Sequence, residues 1–116
     1  MTTIMYGISN CDTIKKAKKF LEQNDISYTF HDYRKDGLDA QMLAEFVDAL
    51  GWENVLNKRG TTYRALSDED KQNLDADSAQ KHMLAAPAMI KRPILRHAGQ
   101  YHLGFKAPQY QDIFSL

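Results

Sequence analysis

The stretch Thr3–Asn24, TIMYGISNCDTIKKAKKFLEQN, holds the strand-to-helix junction that decides the fold. Its first part, residues 3–8, is a short apolar run typical of a buried strand. From residue 13 onward lysines alternate with apolar side chains at helical spacing, which predicts an amphipathic helix capped by Asp12 or Thr13. The apolar positions of this helix are Ile14, Ala17, Phe20 and Leu21. The first pair of elements is therefore βα, with the helix packed on a sheet.

The only cysteine of the chain, Cys11, lies in this junction. Backbone N–H groups of a first helical turn have no intrahelical partner, and with the helix dipole they favour a negative charge by ~0.3–1 kcal/mol. A thiol at such a position ionises more easily than a free one. Cys11 is thus a candidate nucleophile. The alternative is a free cysteine that serves as a small buried hydrophobe.

The rest of the chain predicts a second strand, a helical segment, a hairpin and a last helix. Ser27–Tyr33 is rich in β-formers and predicts a strand parallel to the first. Residues 38 to about 87 show almost no strand signal and predict a helical insert. Residues 94–97 and 101–105 predict a β-hairpin, and residues 106–116 a terminal helix. The order β-α-β, helices, β-β-α is a thioredoxin-like α/β topology with a helical insertion.

Within the insert, capping residues and apolar spacing predict several helices. Gly51 is placed to end the first helix, and a second helical piece includes Val55 and Leu56. Residues 57–64 are expected to form a loop. The predicted helix starts are Asp39, Ser67 and either Asp77 or Ser78.

Composition predicts one globular domain over residues 1–116 and excludes several classes of function. Lys plus Arg and Asp plus Glu both total 15, so no global field draws the chain to nucleic acid or to an anionic membrane. One cysteine excludes an intramolecular disulfide, and no secretory signal or membrane-spanning run is evident. The four histidines lack metal-ligand spacing. We expect a cytoplasmic monomer with no metal and no nucleotide cofactor.

Four sequence blocks in chain order resemble a known family. The blocks are Tyr6–Ala17, His31–Arg34, Arg59–Thr62 and Ile90–Pro93. On these residues the chain resembles the ArsC-like family, which covers arsenate reductases and the Spx, MgsR and YffB group, and it is most similar to the YffB branch. The resemblance spans essentially the whole chain.

The resemblance implies that Cys11 is the nucleophile, held in a loop that binds an oxyanion or the polar groups of a thiol partner. It also implies that Pro93 follows a cis peptide bond beside Cys11 and that Arg92 holds the anion. A residue before proline is biased toward an extended backbone, which directs the five-donor guanidinium of Arg92. The alternative is a solvated surface arginine. The candidate substrate-binding residues are Asn10, Asp12, Thr13, Lys15, Arg59, Arg92, Pro93 and Lys106.

The chain departs from the arsenate-reductase pattern at three positions. Those enzymes have a histidine four residues before the nucleophile, where this chain has Gly7. An arginine of their middle loop aligns with Asn57, which leaves Arg59 as a shifted substitute, and a third arginine becomes Lys106. A lysine pairs with an anion as a point charge, without bidentate geometry. Arg59, Lys106 and the Lys15 cluster have an alternative interpretation as solvated charges.

The residue three positions after Cys11 is Ile14, where a Cys-x-x-Cys motif has its second thiol. A mixed disulfide on Cys11 must therefore be released by an outside thiol, and glutathione is the expected co-substrate. Its carboxylates suit Arg92, Arg59 and the lysines of the first helix. The first hypothesis is a glutathione-dependent monothiol reductase. The alternatives are a regulator that binds RNA polymerase, as in the Spx branch, and a degenerate arsenate reductase.

Overall fold

A computed structural model describes residues 2–116. The chain divides into two compact units, of which one contains the residues up to Gly37 together with Arg92–Leu116 and the other is Leu38–Lys91. The second unit begins where the helical insert was predicted and extends past residue 87 to Lys91. That the whole chain is one domain stays a prediction. Among the described residues, no helix combines the length and apolar character needed to cross a bilayer.

The first unit is built on a four-stranded mixed sheet with the strand order β2-β1-β3-β4. The strands are β1 (Thr3–Gly7), β2 (Thr29–Asp32), β3 (Ile94–His97) and β4 (Gln100–Leu103). The central strand β1 pairs with β2 in parallel and with β3 antiparallel, and β3 pairs with β4 antiparallel. The predicted parallel pair and hairpin are confirmed.

The bounds of three strands differ from the prediction, since β1 ends at Gly7 rather than Ile8 and β4 ends at Leu103 rather than Phe105. Strand β2 is shorter than Ser27–Tyr33. Strand β4 begins at Gln100 because the hairpin turn needs only two residues, Ala98 and Gly99, whose φ angles are 53° and 78°. Two consecutive residues with positive φ match the right-handed twist of the flanking strands, so Gln100 already pairs with His97.

Two of the helices in the described residues belong to the unit with the sheet, and the others belong to the second unit. The helices are α1 (Asp12–Gln23), α2 (Ala40–Leu50), α3 (Trp52–Val55), α4 (Thr61–Arg64), α5 (Asp68–Gln72), α6 (Ala76–Ala85) and α7 (Ala107–Ile113), with a 3-10 turn at Pro87–Met89. The prediction that Asp12 or Thr13 caps α1 is wrong, because Cys11 itself is the N-cap residue.

The core of the first unit forms where α1 packs on the sheet. Ile14, Ala17 and Leu21 of α1 are fully buried, together with Met5 of β1 and Tyr110 of α7. Each fully buried aliphatic side chain contributes roughly 1.5–3 kcal/mol, so the spacing read from the sequence fixes α1 against the sheet. This packing holds the N-terminus of α1 at the carboxyl end of β1.

The Leu38–Lys91 unit contains one helix that was predicted in detail. The Asp39 side chain accepts the N–H of Met42 at 2.8 Å, and Gly51, with a φ of 86°, ends α2. Leu43, Phe46 and Val47 are buried on one face of α2, as the 3.6-residue period predicts. The predicted start of α5 at Ser67 is also confirmed, since the Ser67 hydroxyl accepts the N–H of Asp70.

Three details of this unit differ from the prediction. Helix α6 starts after Asp75 rather than at Asp77 or Ser78, because Asp75 and Ser78 form a reciprocal capping box. Leu56, predicted as helical, forms an isolated antiparallel bridge with Ile90. The predicted loop at residues 57–64 contains the single helical turn α4, which is too short to show an apolar period.

Candidate functional site

Cys11 occupies the N-cap position of α1, directly after the loop that leaves β1. Its backbone is extended, with φ −150° and ψ 128°, while its carbonyl already accepts the N–H of Lys15 at 3.0 Å. The side chain is partly exposed. The backbone N–H groups of Ile14 and Thr13 face its sulfur and lower the pKa of the thiol. The first turn of α1 therefore directs two of its unpaired N–H donors at this sulfur.

Arg92 completes the surroundings of the Cys11 sulfur. Burial by itself raises the pKa of the Cys11 thiol, but hydrogen bonds from the Ile14 N–H, the Arg92 guanidinium and the Thr13 N–H outweigh it. The positive charge of Arg92 acts in the same direction, and the net result is a pKa below the ordinary value of a thiol. The alternative of an inert cysteine in hydrocarbon does not describe this geometry. A lowered pKa at a helix N-terminus beside arginine is the environment of a reactive cysteine.

The peptide bond between Arg92 and Pro93 is cis, in agreement with the implication of the resemblance. Pro93 is fully buried, and its carbonyl accepts the N–H of Gly104 at 2.8 Å. Arg92 is only partly buried, so its guanidinium extends from this anchored turn to the Cys11 sulfur. Its effect on the thiol distinguishes Arg92 from a solvated arginine, and its role in holding an anion stays a prediction.

A buried carboxylate, Asp32, fixes the loop before Cys11. Asp32 lies at the end of β2 with 3% of its surface exposed. Its carboxylate accepts the N–H of Arg34 at 2.8 Å and further hydrogen bonds from Lys35 and from both the N–H and the hydroxyl of Ser9. Burial raises the pKa of Asp32, and these donors more than compensate, so the pKa is lowered. Asp32 is thus held as an anion that binds the segment leading to Cys11.

Gly7 is packed so closely against α1 that there is no room for a side chain at this position. A Cβ built on Gly7 lies 2.5 Å from Cδ1 and 3.3 Å from Cγ1 of Ile14. Ile14 is fully buried in the core, so it cannot move aside freely. The space that a side chain at position 7 would occupy is therefore filled by the isoleucine of α1.

The other predicted site residues are described by the elements on which they lie. Asn10, Asp12 and Lys15 are exposed beside Cys11 on the loop and the first turn of α1. Lys106 is the exposed N-cap residue of α7, and its N–H donates to Oε1 of Gln109 at 3.2 Å. Their roles in binding a substrate stay predictions.

Arg59 belongs to the Leu38–Lys91 unit and lies between α3 and α4. It is exposed, and its N–H donates to Oδ1 of Asn57 at 3.1 Å. Its predicted role at the Cys11 site also stays a prediction. Across residues 2–116, no group of three or more His, Cys, Asp or Glu side chains is arranged to hold a metal ion.

Sequence reasoning assigned no role to Ser9 or Asp32. Both stand in the blocks that carry the family resemblance, but their partnership depends on the strand register that places Gly7 opposite Asp32. The usable signal was an acidic residue at the end of a strand predicted to lie parallel to β1, because parallel neighbours end at the same edge of a sheet. That signal indicates proximity to the Cys11 loop and does not identify the hydrogen bonds.

Comparison with known proteins shows which family the chain is similar to. The ArsC family matches the chain over residues 6–113. The solved structure of a YffB protein is 43% identical, covers 96% of this chain and 97% of its own, and superposes with a TM-score of 0.91. The structure of a protein from Brucella melitensis described as related to arsenate reductase is 50% identical over 100% of this chain and 97% of its own, with a TM-score of 0.81.

A more distant relative has a regulatory name. The global transcriptional regulator Spx 2 of Bacillus anthracis is 24% identical over 88% of this chain and 79% of its own length. Together with the element order, the structural matches confirm the predicted thioredoxin-like fold and show that it is the fold of thiol oxidoreductases of this group. The chain belongs to the ArsC family.

Proposed function

We propose that this protein is a glutathione-dependent monothiol reductase in which Cys11 is the nucleophile. The observation that carries the proposal is the convergence of the Thr13 and Ile14 N–H groups and the Arg92 guanidinium on the Cys11 sulfur. A neutral-pH thiolate is the form that attacks disulfides. Since Ile14 stands where a second thiol would be, the chemistry that fits is that of a single cysteine aided by an external thiol.

In the first step, the Cys11 thiolate attacks the glutathione sulfur of a mixed disulfide. The new bond joins Cys11 to glutathione, the old S–S bond breaks, and the other thiol leaves as a thiolate that takes a proton from water. Arg92 and the first turn of α1 stabilise the attacking anion. They also lower its intrinsic nucleophilicity somewhat, so the gain comes from the larger thiolate fraction at neutral pH.

In the second step, a glutathione thiolate attacks the glutathione sulfur bound to Cys11. Oxidised glutathione forms and Cys11 leaves as a thiolate, so one molecule of free glutathione is consumed for each mixed disulfide reduced. Cys11 is a good leaving group here because the same donors stabilise its anion. The lowered pKa therefore assists both steps.

A coupled turnover assay tests this function. Glutathione, glutathione reductase and NADPH are mixed with a small disulfide, and NADPH consumption is followed for the wild type and for Cys11→Ser. We expect turnover above background for the wild type and none for the variant. Equal rates for both proteins would falsify the catalytic role. Replacing glutathione by a dithiol of similar potential tests whether glutathione itself is required.

A second candidate is a transcriptional regulator, which the similarity to Spx 2 supports, and the family resemblance implies RNA polymerase as its partner. The tagged protein is incubated with purified RNA polymerase, and stoichiometric retention would favour this function over turnover. A thiol-coupled assay with arsenate as the oxidant covers the third possibility. That possibility has weaker support, because Gly7 and Lys106 replace residues typical of arsenate reductases.

A further inference from the structure

The His31–Arg34 block at the end of β2 has no role in the proposed mechanism, yet it contains a buried carboxylate. Asp32 and Thr3 are the buried polar side chains of the described residues, and Asp32 is 3% exposed. A buried charge is costly unless donors surround it. In this chain the donors come from two places, the turn after β2 and the loop before Cys11.

The turn after β2 holds Asp32 firmly. The Arg34 N–H donates to Oδ1 of Asp32 at 2.8 Å, and the N–H of Asp32 itself donates to Oδ2 of Asp36 at 3.0 Å. The Asp32 carbonyl accepts the N–H groups of Lys35 at 3.1 Å and of Asp36 at 2.7 Å. These local bonds orient the carboxylate before it meets the Cys11 loop.

The Cys11 loop is bound to the same turn at two successive points. The Tyr33 N–H donates to the Gly7 carbonyl at 2.9 Å, where β1 ends. Two residues later the Ser9 N–H and hydroxyl both donate to the Asp32 carboxylate. Ser9 stands two residues before Cys11, so its position determines where the N-cap residue enters α1.

We propose that Asp32 is a positioning residue for the nucleophile, which acts by holding Ser9 so that the Cys11 sulfur meets the N–H groups of α1. Asp32 does not touch the sulfur. The effect of Asp32 on turnover rests on the proposed function, whereas the effect of Asp32 on the pKa of Cys11 does not.

The direction in which the pKa of Cys11 shifts distinguishes a positioning role of Asp32 from a simple charge effect. An anion near a thiolate raises the pKa of the thiol by repulsion, so removing the Asp32 charge lowers that pKa if charge alone matters. If Asp32 instead positions the loop, its loss weakens the hydrogen bonds from Ile14 and Thr13, and the pKa rises. The two mechanisms therefore predict opposite shifts for Asp32→Asn.

The experiment measures the pKa of Cys11 from the ultraviolet absorbance of its thiolate in the free protein. We expect Asp32→Asn to raise this pKa by roughly half a unit or more, because an amide offers one acceptor oxygen where the carboxylate offers two. The matched control is Asp36→Asn, which removes a charge of the same turn but keeps an amide oxygen that can accept the N–H of Asp32. We expect no shift in the control.

A second pair of variants keeps the test valid if Asp32→Asn does not fold. Ser9 is exposed, so Ser9→Ala removes one donor to Asp32 with little loss of packing, and Ser9→Thr restores the hydroxyl. We expect a smaller rise in the Cys11 pKa for alanine and a value near wild type for threonine. An unchanged or lowered pKa in Asp32→Asn and in Ser9→Ala would overturn the proposal.

The outcome is independent of turnover. If Cys11→Ser and the wild type are equally inactive while Asp32→Asn raises the Cys11 pKa, the proposed function fails and the positioning role stands. If the wild type turns over and the Asp32→Asn pKa is unchanged, the reverse holds. Where both stand, Asp32→Asn lowers kcat/KM at neutral pH and recovers part of it at higher pH, because the thiolate fraction is restored.

Discussion

The surfaces at the two ends of strand β1 differ in the size of the cavity that they form and in their chemistry. At its amino end, a groove of about 910 Å³ lies between the sheet and the end of α7. Its lining includes Thr3, His97, His102, Asp112, Phe114 and Leu116. At its carboxyl end lies the Cys11 loop. By volume alone, the groove is the larger candidate for a binding site.

The direction of the polar groups distinguishes these ends. In the groove, Oγ1 of Thr3 and Nδ1 of His97 are 2.8 Å apart, and the His97 ring packs on Phe114 with centroids 4.6 Å apart. These groups satisfy one another within the fold. Around Cys11, by contrast, backbone and guanidinium donors converge on one ionisable atom. If the proposed function is correct, converging donors indicate the reactive end of β1 better than cavity volume does.

The largest expected effect is the one that tests most directly which end of β1 takes part in the reaction. Cys11→Ser should lower the rate of disulfide reduction by roughly a hundredfold or more, because a hydroxyl is not ionised at neutral pH. His97→Gln, which alters only the groove, should stay within about twofold of the wild type in the same assay. A comparable loss in both variants would place the groove in the reaction.

The second effect compares Arg92, which precedes Pro93, with Arg96, which follows Leu95. Arg92→Met should raise the pKa of Cys11 by roughly one unit and slow its alkylation by iodoacetamide at pH 7 up to about tenfold. Arg96→Met is the matched control, since Arg96 lies exposed on β3 over the ring of Tyr101. Equal alkylation rates for the two variants would contradict the role given to Arg92.

A smaller effect appears in stability above neutral pH. The pKa of Cys11 is lower in the folded state, so its thiolate adds stability that is fully present above the unfolded value of about 8.5. This stability is lost as pH falls through the folded pKa. Urea unfolding of the wild type and Cys11→Ser should therefore show a difference that grows from acidic to alkaline pH, and a flat difference would contradict the lowered pKa.

The smallest effect belongs to the groove and occurs at acidic pH. Burial, together with the charge of His97, lowers the pKa of His102 in the folded state. The folded protein then binds a proton less readily than the unfolded chain, so stability falls as pH drops below about 6.5. His102→Gln should reduce this acid sensitivity in urea unfolding, without changing the alkaline behaviour due to Cys11. An unchanged acid profile would contradict the shift.

The elements that sequence predicts well depend on neighbours along the chain. The apolar spacing of α1 and the cap pair Asp39 and Gly51 of α2 are local signals, and both helices form as expected. The errors also have local causes. Asp75 competes with Asp77 as a cap, and the short helix Thr61–Arg64 has too few residues for a period.

The candidate site also contains residues that local sequence identifies and contacts that it does not. Cys11 is recognisable because the strand and helix that bracket it are adjacent in sequence. Arg92 follows from the resemblance and from the proline after it. The contact between Ser9 and Asp32 depends on pairing two strands across an intervening helix, so no single window of the chain contains it. Tertiary hydrogen bonds of this kind become visible only once the register is known.

The contact between Gly7 and Ile14 limits how this site can evolve. Any larger residue at position 7 collides with a fully buried isoleucine, so an imidazole cannot be added there by one substitution without disturbing the core. A path toward a histidine-assisted enzyme would need a smaller residue at position 14 first, at the cost of a cavity beneath the nucleophile. A protein that carries only one of these two substitutions is therefore expected to be less stable than one with the present pairing.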